Sequence, residues 1–356
     1  MLLLAGSIWE RKEDGVDQKK LEALRKKYGG DGADDILDPE FRKVSELLFA
    51  GGARRAKPYE GISTFLDLPQ ASAEDLASLD VAVVGVPMDL GVTNRPGARF
   101  GPRAVRQIER VGPYHYGHRC VPQSLVRAAD IGDVPFQSRY SLADSHADIE
   151  AFMHRVVDAG VRPLSVGGDH SISLPILKAV GRKVAVGMIH IDAHCDTGAA
   201  FEGSKFHHGG PFRQAVLEGV LDPGRTIQIG IRGNAEYLWE FSSASGMTVI
   251  HAEEFMALGL PGTIAKIKSV VGDGPTYISF DVDSLDPAFA PGTGTPEIGG
   301  LSTREAMELV RGAEGMHIVG GDVVEVAPQY DTTSNTAHAA AQMLFEIFAV
   351  MAAKPA

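Results

Sequence analysis

A short run of the sequence, MIHIDAHCDTG at residues 188–198, places acidic and imidazole side chains behind an apolar stretch. Asp192, His194 and Asp196 fall at every second position, so in an extended chain they point to one side. Burying such groups is costly unless something compensates them, and the obvious compensation is a metal ion. Because a single motif of this kind is often a solvated loop, the hypothesis depends on what the rest of the chain offers.

Three other apolar segments also end in acidic or imidazole side chains: Asp169 and His170, then Asp281, Asp283 and Asp286, then Asp322 and Glu325. Each segment has the pattern of a buried strand. In an open parallel sheet, ligands bind beyond the carboxyl ends of the strands. We therefore expect the four strand ends to meet on one rim and to form a single site.

The ligand chemistry of this set favours a pair of metals. Carboxylates and imidazoles without paired thiolates favour Mn²⁺ or a similar first-row divalent ion over structural zinc. Six protein ligands can hold two metals if some carboxylates bridge, and Asp192 and Asp281 are the natural bridges because each comes first at its strand end. A hydroxide between two such metals is a strong nucleophile near neutral pH.

Two neighbours of these ligands are expected to play supporting roles. His190 shares the strand face of Asp192 but lies further inside, so we expect it to orient a ligand rather than to be one. Cys195 points to the opposite face, and we expect a small packing residue because nothing beside it would activate a thiol.

The elements that must position these groups follow from the apolar pattern. Near-continuous apolar runs predict strands at 81–86, 184–192, 226–231, 276–283 and 317–326, which suits a parallel sheet covered on both faces. Helical patterns lie between them, at 101–110, 143–159, 205–219, 261–270, 302–313 and 336–352. The alternation predicts an α/β fold with three layers, α-β-α, around a central parallel sheet.

Composition narrows the class of protein. No apolar run reaches the roughly 18 residues of a membrane span, so no membrane partner is expected. The net charge of −12 argues against nucleic-acid binding. Two cysteines are too few for a disulfide framework, and the first residues, MLLLAGS, lack a basic leader, so we expect a cytoplasmic protein.

Residues 1–60 differ from the rest of the chain. They are charged, carry the pattern of a short helix that ends at Gly29 and Gly30, and hold too few apolar residues for a separate domain. We expect residues 1–60 to be an N-terminal extension and residues 61–356 to be the catalytic domain.

Several motifs together resemble the ureohydrolase family, which includes arginase, agmatinase and guanidinobutyrase. They are SVGGDHSISLP, IHIDAHCDTG and SFDVDSLDPAFAPGTGTPEIGGL, with GVPMDLGVTNRPGARFGPRAVR (85–106) resembling the family's N-terminal signature. The resemblance runs from about residue 60 to the C-terminus. It implies an arginase-like fold, a dinuclear manganese site, and hydrolysis of a guanidino compound to urea and an amine by a hydroxide that bridges the metals. It also implies a homotrimer or homohexamer. Association with a paralogous subunit is a further alternative.

The resemblance carries roles over to single residues. It assigns one metal to His170, Asp192, Asp196 and Asp281, and the other to His194, Asp192, Asp281 and Asp283. It implies that His208, in KFHHGGPF, is the proton shuttle and that Glu325 holds the guanidinium. A histidine that titrates near neutral pH suits protonation of a leaving amine, and a carboxylate suits the planar cation.

The substrate stays open between several guanidino compounds. The resemblance is closer to agmatinase than to arginase, but His207 and Gly210 stand where agmatinases usually carry an aspartate and a threonine. Agmatine is therefore weighed against a guanidino acid such as 4-guanidinobutanoate. Free guanidine, a methylguanidine or a biguanide is the alternative, with Ni²⁺ as a metal that nitrogen and oxygen ligands accept. Candidate pocket residues are Asn94, Arg95, His115, Tyr116, His118 and His207.

Two other classes of protein are compatible with parts of the pattern. A metal-dependent deacetylase resembles this family distantly but uses a single zinc ion, whereas the paired Asp-rich motifs and Glu325 indicate two metals. An inactive partner subunit would be expected to have lost ligands, and here the six ligands and His208 are all present.

Overall fold

The computed structural model describes residues 17–29, 36–48, 59–109, 111–233 and 236–353. The chain divides into two compact units, Met1–Arg54 and Arg55–Ala356. The boundary expected near residue 60 stays a prediction, and the MLLLAGS stretch lies outside the described residues.

The first unit contains helices α1 (Gln18–Tyr28) and α2 (Pro39–Leu48). Helix α1 begins after Asp17, whose side chain accepts a hydrogen bond from Lys20 N at 3.1 Å, and it ends at Gly29. Such a cap satisfies one of the free N–H groups of a first helical turn. The helix predicted to end at Gly29 and Gly30 is confirmed.

The second unit is built on one parallel sheet of eight strands: β1 (Val81–Val86), β2 (Ala128–Asp133), β3 (Arg162–Gly167), β4 (Val186–Ile191), β5 (Leu221–Ile231), β6 (Thr248–His251), β7 (Thr276–Asp281) and β8 (Ile318–Val324). The strands lie in the order β2-β1-β3-β8-β7-β4-β5-β6, and each neighbouring pair is parallel.

The helices of the second unit cover the sheet: α3 (Gly101–Arg106), α4 (Leu142–Asp158), α5 (Ser173–Val180), α6 (Pro211–Leu217), α7 (Glu240–Ser245), α8 (Ala252–Val271), α9 (Thr303–Arg311) and α10 (Asn335–Ala352). Within the described part of the chain, every helix falls short of the length and apolar character that a bilayer crossing requires.

Alternate strand positions enter two separate cores. On β4, Ile189 and Ile191 lie in a core shared with α8, α9 and α10, whereas Met188 lies in a core shared with α4, α5 and α6. A sheet covered on both faces needs strands that are apolar at nearly every position, which explains the near-continuous runs in the sequence. The predicted three-layer α-β-α architecture is confirmed.

The strands that carry the chemically interesting residues are neighbours. Strands β3, β8, β7 and β4 occupy four adjacent places in the sheet. Because these strands are parallel, their carboxyl ends lie at the same edge. The predicted meeting of the four strand ends is confirmed.

Several predicted boundaries were wrong. The helix predicted at 205–219 is shorter, because α6 begins at Pro211 and residues 205–210 form a turn. The helix predicted at 101–110 ends at Arg106. The helix predicted at 261–270 is the second part of α8, whose backbone leaves helical geometry at Gly259 with φ +65°. Strands β2 and β6 and helices α5 and α7 were not predicted.

Helix α10 is held to its neighbours by a buried carboxylate. Glu346 is fully buried and contacts His115 Nε2 at 2.6 Å and Arg311 Nη2 and Nε at 2.8 and 2.9 Å. Burial raises the pKa of Glu346, but hydrogen bonds from His115 and Arg311 outweigh it and lower the pKa to about 2.

We expect Glu346→Gln to lower the free energy of unfolding at pH 7 by about 3 kcal/mol, since each unit of pKa displacement is worth ~1.4 kcal/mol. Folding lowers this pKa from 4.5, so the contribution is complete above that pH and is lost as the pH falls toward 2. Denaturant unfolding at pH 7 and at several pH values between 4.5 and 2 should show the gap between variant and wild type closing as the pH falls through that range. Glu308→Gln is the control, because the half-exposed Glu308 also contacts Arg311. A gap independent of pH would contradict the assignment.

Candidate active site

His170 lies at the centre of a group of carboxylates at the edge of the sheet. It follows β3 in a short 3-10 turn, and its Nδ1 lies 3.1 Å from Asp192 Oδ2, 3.0 Å from Asp196 Oδ2 and 3.2 Å from Asp281 Oδ2. This nitrogen is buried and has no hydrogen bond of acceptable geometry among the described residues. One imidazole nitrogen cannot satisfy three carboxylates, so the arrangement fits a cation between them.

His194 forms a second cluster beside the first. Its Nδ1 lies 3.1 Å from Asp283 Oδ2 and 3.5 Å from Asp192 Oδ1. Asp192 therefore takes part in both clusters, with one oxygen toward His170 and the other toward His194. Backbone N–H groups hold the carboxylates in place: Asp192 Oδ1 accepts from His194 N at 2.7 Å, and Asp281 Oδ1 accepts from Asp283 N at 2.8 Å.

The carboxylates of these two clusters repel one another when they are buried together. Burial lowers the pKa of His170, but Asp192, Asp196 and Asp281 outweigh it and raise the pKa well above its usual value. Burial raises the pKa of Asp281 well above its usual value, and Asp283 and Asp192 raise it further. Carboxylates this close cannot all be ionised in a buried site unless cations accompany them.

His190 supports the shared aspartate. The amide nitrogen of Gln228 donates to the carbonyl oxygen of Cys195 at 2.6 Å. Because a carbonyl oxygen can only accept, this contact fixes which end of the Gln228 amide is the nitrogen. The same nitrogen lies 3.0 Å from His190 Nδ1, which therefore accepts, and the ring proton on Nε2 is donated to Asp192 Oδ2 at 2.7 Å. A nitrogen that donates has no lone pair for a metal, so His190 has the supporting role expected from its place in the strand.

Cys195 is a buried residue of this edge. Burial raises the pKa of its thiol to about 12, so the reactive thiolate is not formed near neutral pH. This agrees with the packing role expected from the sequence.

His208 and Glu325 form a buried pair. Glu325 follows β8, His208 lies in the turn before α6, and His208 Nδ1 lies 2.8 Å from Glu325 Oε1. Burial lowers the pKa of His208, but Glu325 outweighs it and raises the pKa to about 9. Thr93 N donates to His208 Nε2 at 3.1 Å, and Thr93 Oγ1 lies 2.7 Å from the same nitrogen. The Thr93 N–H needs the lone pair of Nε2, so in this arrangement the ring proton lies on Nδ1, toward Glu325.

The second oxygen of Glu325 has no partner among the described residues. Oε1 contacts His208 and accepts from His170 N at 2.9 Å, whereas Oε2 is buried without a hydrogen bond. Leaving a buried carboxylate oxygen unpaired is costly. The oxygen therefore fits a donor that comes from outside the chain.

Two residues of the site hold a left-handed backbone conformation. Asp196 has φ +50° and Glu325 has φ +65°. Glycine adopts this region easily, whereas other residues pay on the order of 1–3 kcal/mol each. The surrounding structure therefore imposes the conformation that aims these two carboxylates.

The clusters line a cavity of about 170 Å³. Several of its lining residues were not singled out in the sequence: Thr93, Gly233, Leu238, Trp239 and Thr295. Thr93 lies next to Asn94, in a segment that the sequence did mark, but Leu238 and Trp239 lie in a stretch with no chemical motif.

Asn94, Arg95 and His207 lie near the catalytic candidates. Asn94 Nδ2 and Arg95 Nε both donate to Gly294 O, at 3.1 and 3.2 Å. Gly294 lies beside the unpartnered oxygen of Glu325, because a Cβ added to Gly294 would lie 3.7 Å from Glu325 Oε2. Asn94 and Arg95 are therefore bonded to a residue that neighbours this oxygen. His207 Nε2 lies 2.7 Å from Ala199 O, so its ring fixes the turn that carries His208.

His115, Tyr116 and His118, like Asn94, Arg95 and His207, are not among the residues that line the cavity, and their part in substrate binding stays a prediction. His115 and His118 stack with ring centroids 4.2 Å apart, His115 pairs with Glu346 of α10, and His118 Nδ1 lies 2.9 Å from Glu314 Oε1. The buried carboxylate of Glu346 holds His115 against α10.

Comparison with known proteins identifies the family. The sequence model of the arginase family matches residues 79–349. A guanidinopropionase from Pseudomonas aeruginosa is 50% identical over 298 residues, which cover 83% of this chain and 93% of that protein. The chain belongs to the arginase family. A mitochondrial agmatinase from Gallus gallus is 45% identical over 87% of this chain and 96% of its own length. The solved structure of proclavaminate amidino hydrolase from Streptomyces clavuligerus superposes with a TM-score of 0.79 at 37% identity and covers 83% of this chain and 99% of that one.

Membership of the arginase family confirms the predicted ureohydrolase class and the predicted fold. The fold of this family implies a binuclear divalent metal centre, and a cluster of His and Asp side chains is present at the strand ends. Neither a zinc deacetylase nor a hydrolase of free guanidine or a biguanide is favoured by these comparisons.

In the metal-free protein, we expect Glu325→Gln to lower the pKa of His208 from about 9, because the burial remains while the neighbouring charge that raises this pKa most is removed. Imidazole NMR after treatment with a chelator measures this titration. His207→Asn is the control, since its ring contacts the Ala199 carbonyl instead of Glu325. A His208 titration that does not move in Glu325→Gln would contradict the pairing.

Proposed function

We propose that this protein uses two divalent metal ions to hydrolyse a guanidino acid to urea and an amino acid. The proposed ligands are His170, Asp192, Asp196 and Asp281 for one ion and His194, Asp192, Asp281 and Asp283 for the other. Two observations support this assignment: the buried Nδ1 of His170 without a hydrogen bond, and the position of Asp192 between both histidines. When bound, the metal pair would activate water for attack on the guanidinium carbon.

The observation that carries the proposal is the unpartnered Oε2 of Glu325. A guanidinium presents N–H groups in a plane and binds carboxylates through charge-assisted hydrogen bonds. Glu325 lies beside His170 and His208, so a guanidinium held on Oε2 would lie near a proposed metal ligand and near the proposed proton donor. The backbone bond from His170 N keeps Glu325 in this position.

His208 is the proposed donor of the proton that the leaving nitrogen needs. Glu325 orients the ring through Nδ1 and raises its pKa, so the imidazole holds a proton at neutral pH. A proton given to the leaving nitrogen would come from Nε2, which faces Thr93 in the cavity lining. The Thr93 hydroxyl can accept from a protonated Nε2, whereas the contact from Thr93 N forms only when Nε2 is bare.

The cavity favours a short substrate tail. Its volume of about 170 Å³ is smaller than the ~300–1,000 Å³ of pockets for drug-sized ligands. Among the described lining residues, the carboxylates are Asp196, Asp281 and Asp283, which are all proposed metal ligands. Outside the proposed metal ligands and His208, the described lining therefore offers no opposite charge to the ammonium of agmatine or to the carboxylate of a guanidino acid. The relative that is 50% identical is named a guanidinopropionase, which supports the same substrate class.

Metal identity, setting and assembly belong to the same proposal. Oxygen and imidazole ligands support Mn²⁺, with Ni²⁺ as the alternative. Cys120 and Cys195 form no disulfide, which supports a reducing, cytoplasmic setting. The homotrimer or homohexamer stays a prediction from the sequence, and light scattering measures it.

We expect the Mn²⁺-loaded protein to release urea from 3-guanidinopropanoate or 4-guanidinobutanoate with a kcat/KM at least about tenfold above that for agmatine, because the relative that is 50% identical is named a guanidinopropionase; a tenfold change represents ~1.4 kcal/mol. Arginine, guanidine and a biguanide complete the panel, and each substrate is also tested with Ni²⁺. A clear preference for agmatine would contradict the substrate class. An absence of urea from every substrate would contradict the function.

We expect Asp192→Ala to lose both metal ions and activity together, because its two oxygens face both clusters. His208→Asn should keep both metals and lose about 10²–10⁴-fold in kcat, the usual contribution of a positioned acid or base. Metal analysis of the dialysed proteins and urea release measure the two effects. His207→Asn is the matched control for His208→Asn. Full activity of His208→Asn would rule out the shuttle role.

A further inference from the structure

Asp322 is a buried carboxylate on β8 that has no role in the proposed reaction. Its Oδ2 accepts from Ser173 Oγ at 2.6 Å and from Tyr277 OH at 2.8 Å, and its Oδ1 accepts from Ser279 Oγ at 2.7 Å. Among the described residues, no lysine or arginine forms an ion pair with it. A fully buried charge held only by neutral hydroxyls is expensive, so its presence calls for a reason.

The Ser279 hydroxyl links this carboxylate to His170. Ser279 Oγ lies 2.8 Å from His170 Nε2. A serine has a single hydroxyl proton, and Asp322 takes it. The contact with His170 can then form only if His170 Nε2 carries a proton and donates it to Ser279 Oγ.

The location of this proton decides what the other ring nitrogen can do. With the proton on Nε2, the neutral ring presents the lone pair of Nδ1 to the oxygens of Asp192, Asp196 and Asp281. That is the atom and the lone pair that a metal needs. Protonation on Nδ1 alone would leave Nε2 and Ser279 Oγ facing each other without a hydrogen between them.

We propose that Asp322 and Ser279 are positioning residues that fix the tautomer of His170 and strengthen its bond to the metal. The negative charge of Asp322 polarises the Ser279 hydroxyl, which in turn pulls on the Nε2 proton and makes Nδ1 a better donor. The inference rests on the proposed metal site and adds two residues outside its six ligands. Groups that hold a ligating histidine in this way commonly change metal affinity by about 10–100-fold.

Tyr277 provides a matched comparison on the same carboxylate. Burial raises the pKa of Tyr277 well above its usual value and the charge of Asp322 raises it further, so the phenol stays a donor. Its hydroxyl stabilises Asp322 but makes no link to His170. Tyr277→Phe therefore removes one hydrogen bond from Asp322 and leaves the path through Ser279 intact.

The test is a Mn²⁺ titration of each full-length variant against a competing chelator, with thermal unfolding of the metal-free protein recorded beside it. His170→Asn and His194→Asn first show which of the two binding steps belongs to which histidine. We expect Ser279→Ala and Asp322→Asn each to weaken the His170 step by about 10–100-fold and the His194 step less. The double variant should bind Mn²⁺ no more weakly than the weaker-binding single variant, because both changes interrupt the same link from Asp322 through Ser279 to His170.

Tyr277→Phe should keep both steps within about threefold of wild type. If Asp322→Asn does not fold, Ser279→Ala carries the test alone, since it removes one oxygen atom and leaves Asp322 with two donors. Native affinity in Ser279→Ala would overturn the proposal, and so would equal weakening in Tyr277→Phe. If the wild-type protein bound no divalent ion, the proposed metal site itself would be contradicted. If the wild type and the variants all bound metal with equal affinity, only the proposed role of Asp322 and Ser279 would be contradicted.

Discussion

The structure depends on one electrostatic constraint, the burial of mutually repelling carboxylates at a single edge of the sheet. Asp192 is the residue through which this constraint acts, because its two oxygens face His170 and His194. Its neighbours hold it from behind: His190 donates to one oxygen and a backbone N–H to the other. Removing one partner from such an arrangement leaves an uncompensated charge, so each member of the site depends on the others.

The local part of this site could be predicted from the sequence, because alternating Asp and His residues at the end of an apolar run have one simple physical explanation. The meeting of the strand ends followed from the parallel sheet. The strand order did not, since the adjacency of β3, β8, β7 and β4 depends on pairings between segments far apart in the chain. His208 came only from the resemblance to a family, because a histidine before a glycine carries no chemical signal of its own.

Other features could not be predicted because tertiary contacts outweigh local pattern. Residues 205–210 continue the helical pattern of α6, yet they form a turn in which His208 N bonds to Gly91 O at 2.9 Å. His115 and His118 had the composition of a binding loop, but His115 pairs with the buried Glu346 of α10 and His118 pairs with Glu314. Leu238 and Trp239 line the cavity through shape alone, and shape leaves no motif in the sequence.

The left-handed backbone at Asp196 and Glu325 sets a limit on how this protein can be made more robust. Glycine at either position would relax the main chain and is the kind of change that a selection for heat resistance rewards. The same change would delete a proposed metal ligand or the proposed substrate anchor. Directed evolution for stability, without a screen for turnover, would therefore tend to erase the site first at these two positions.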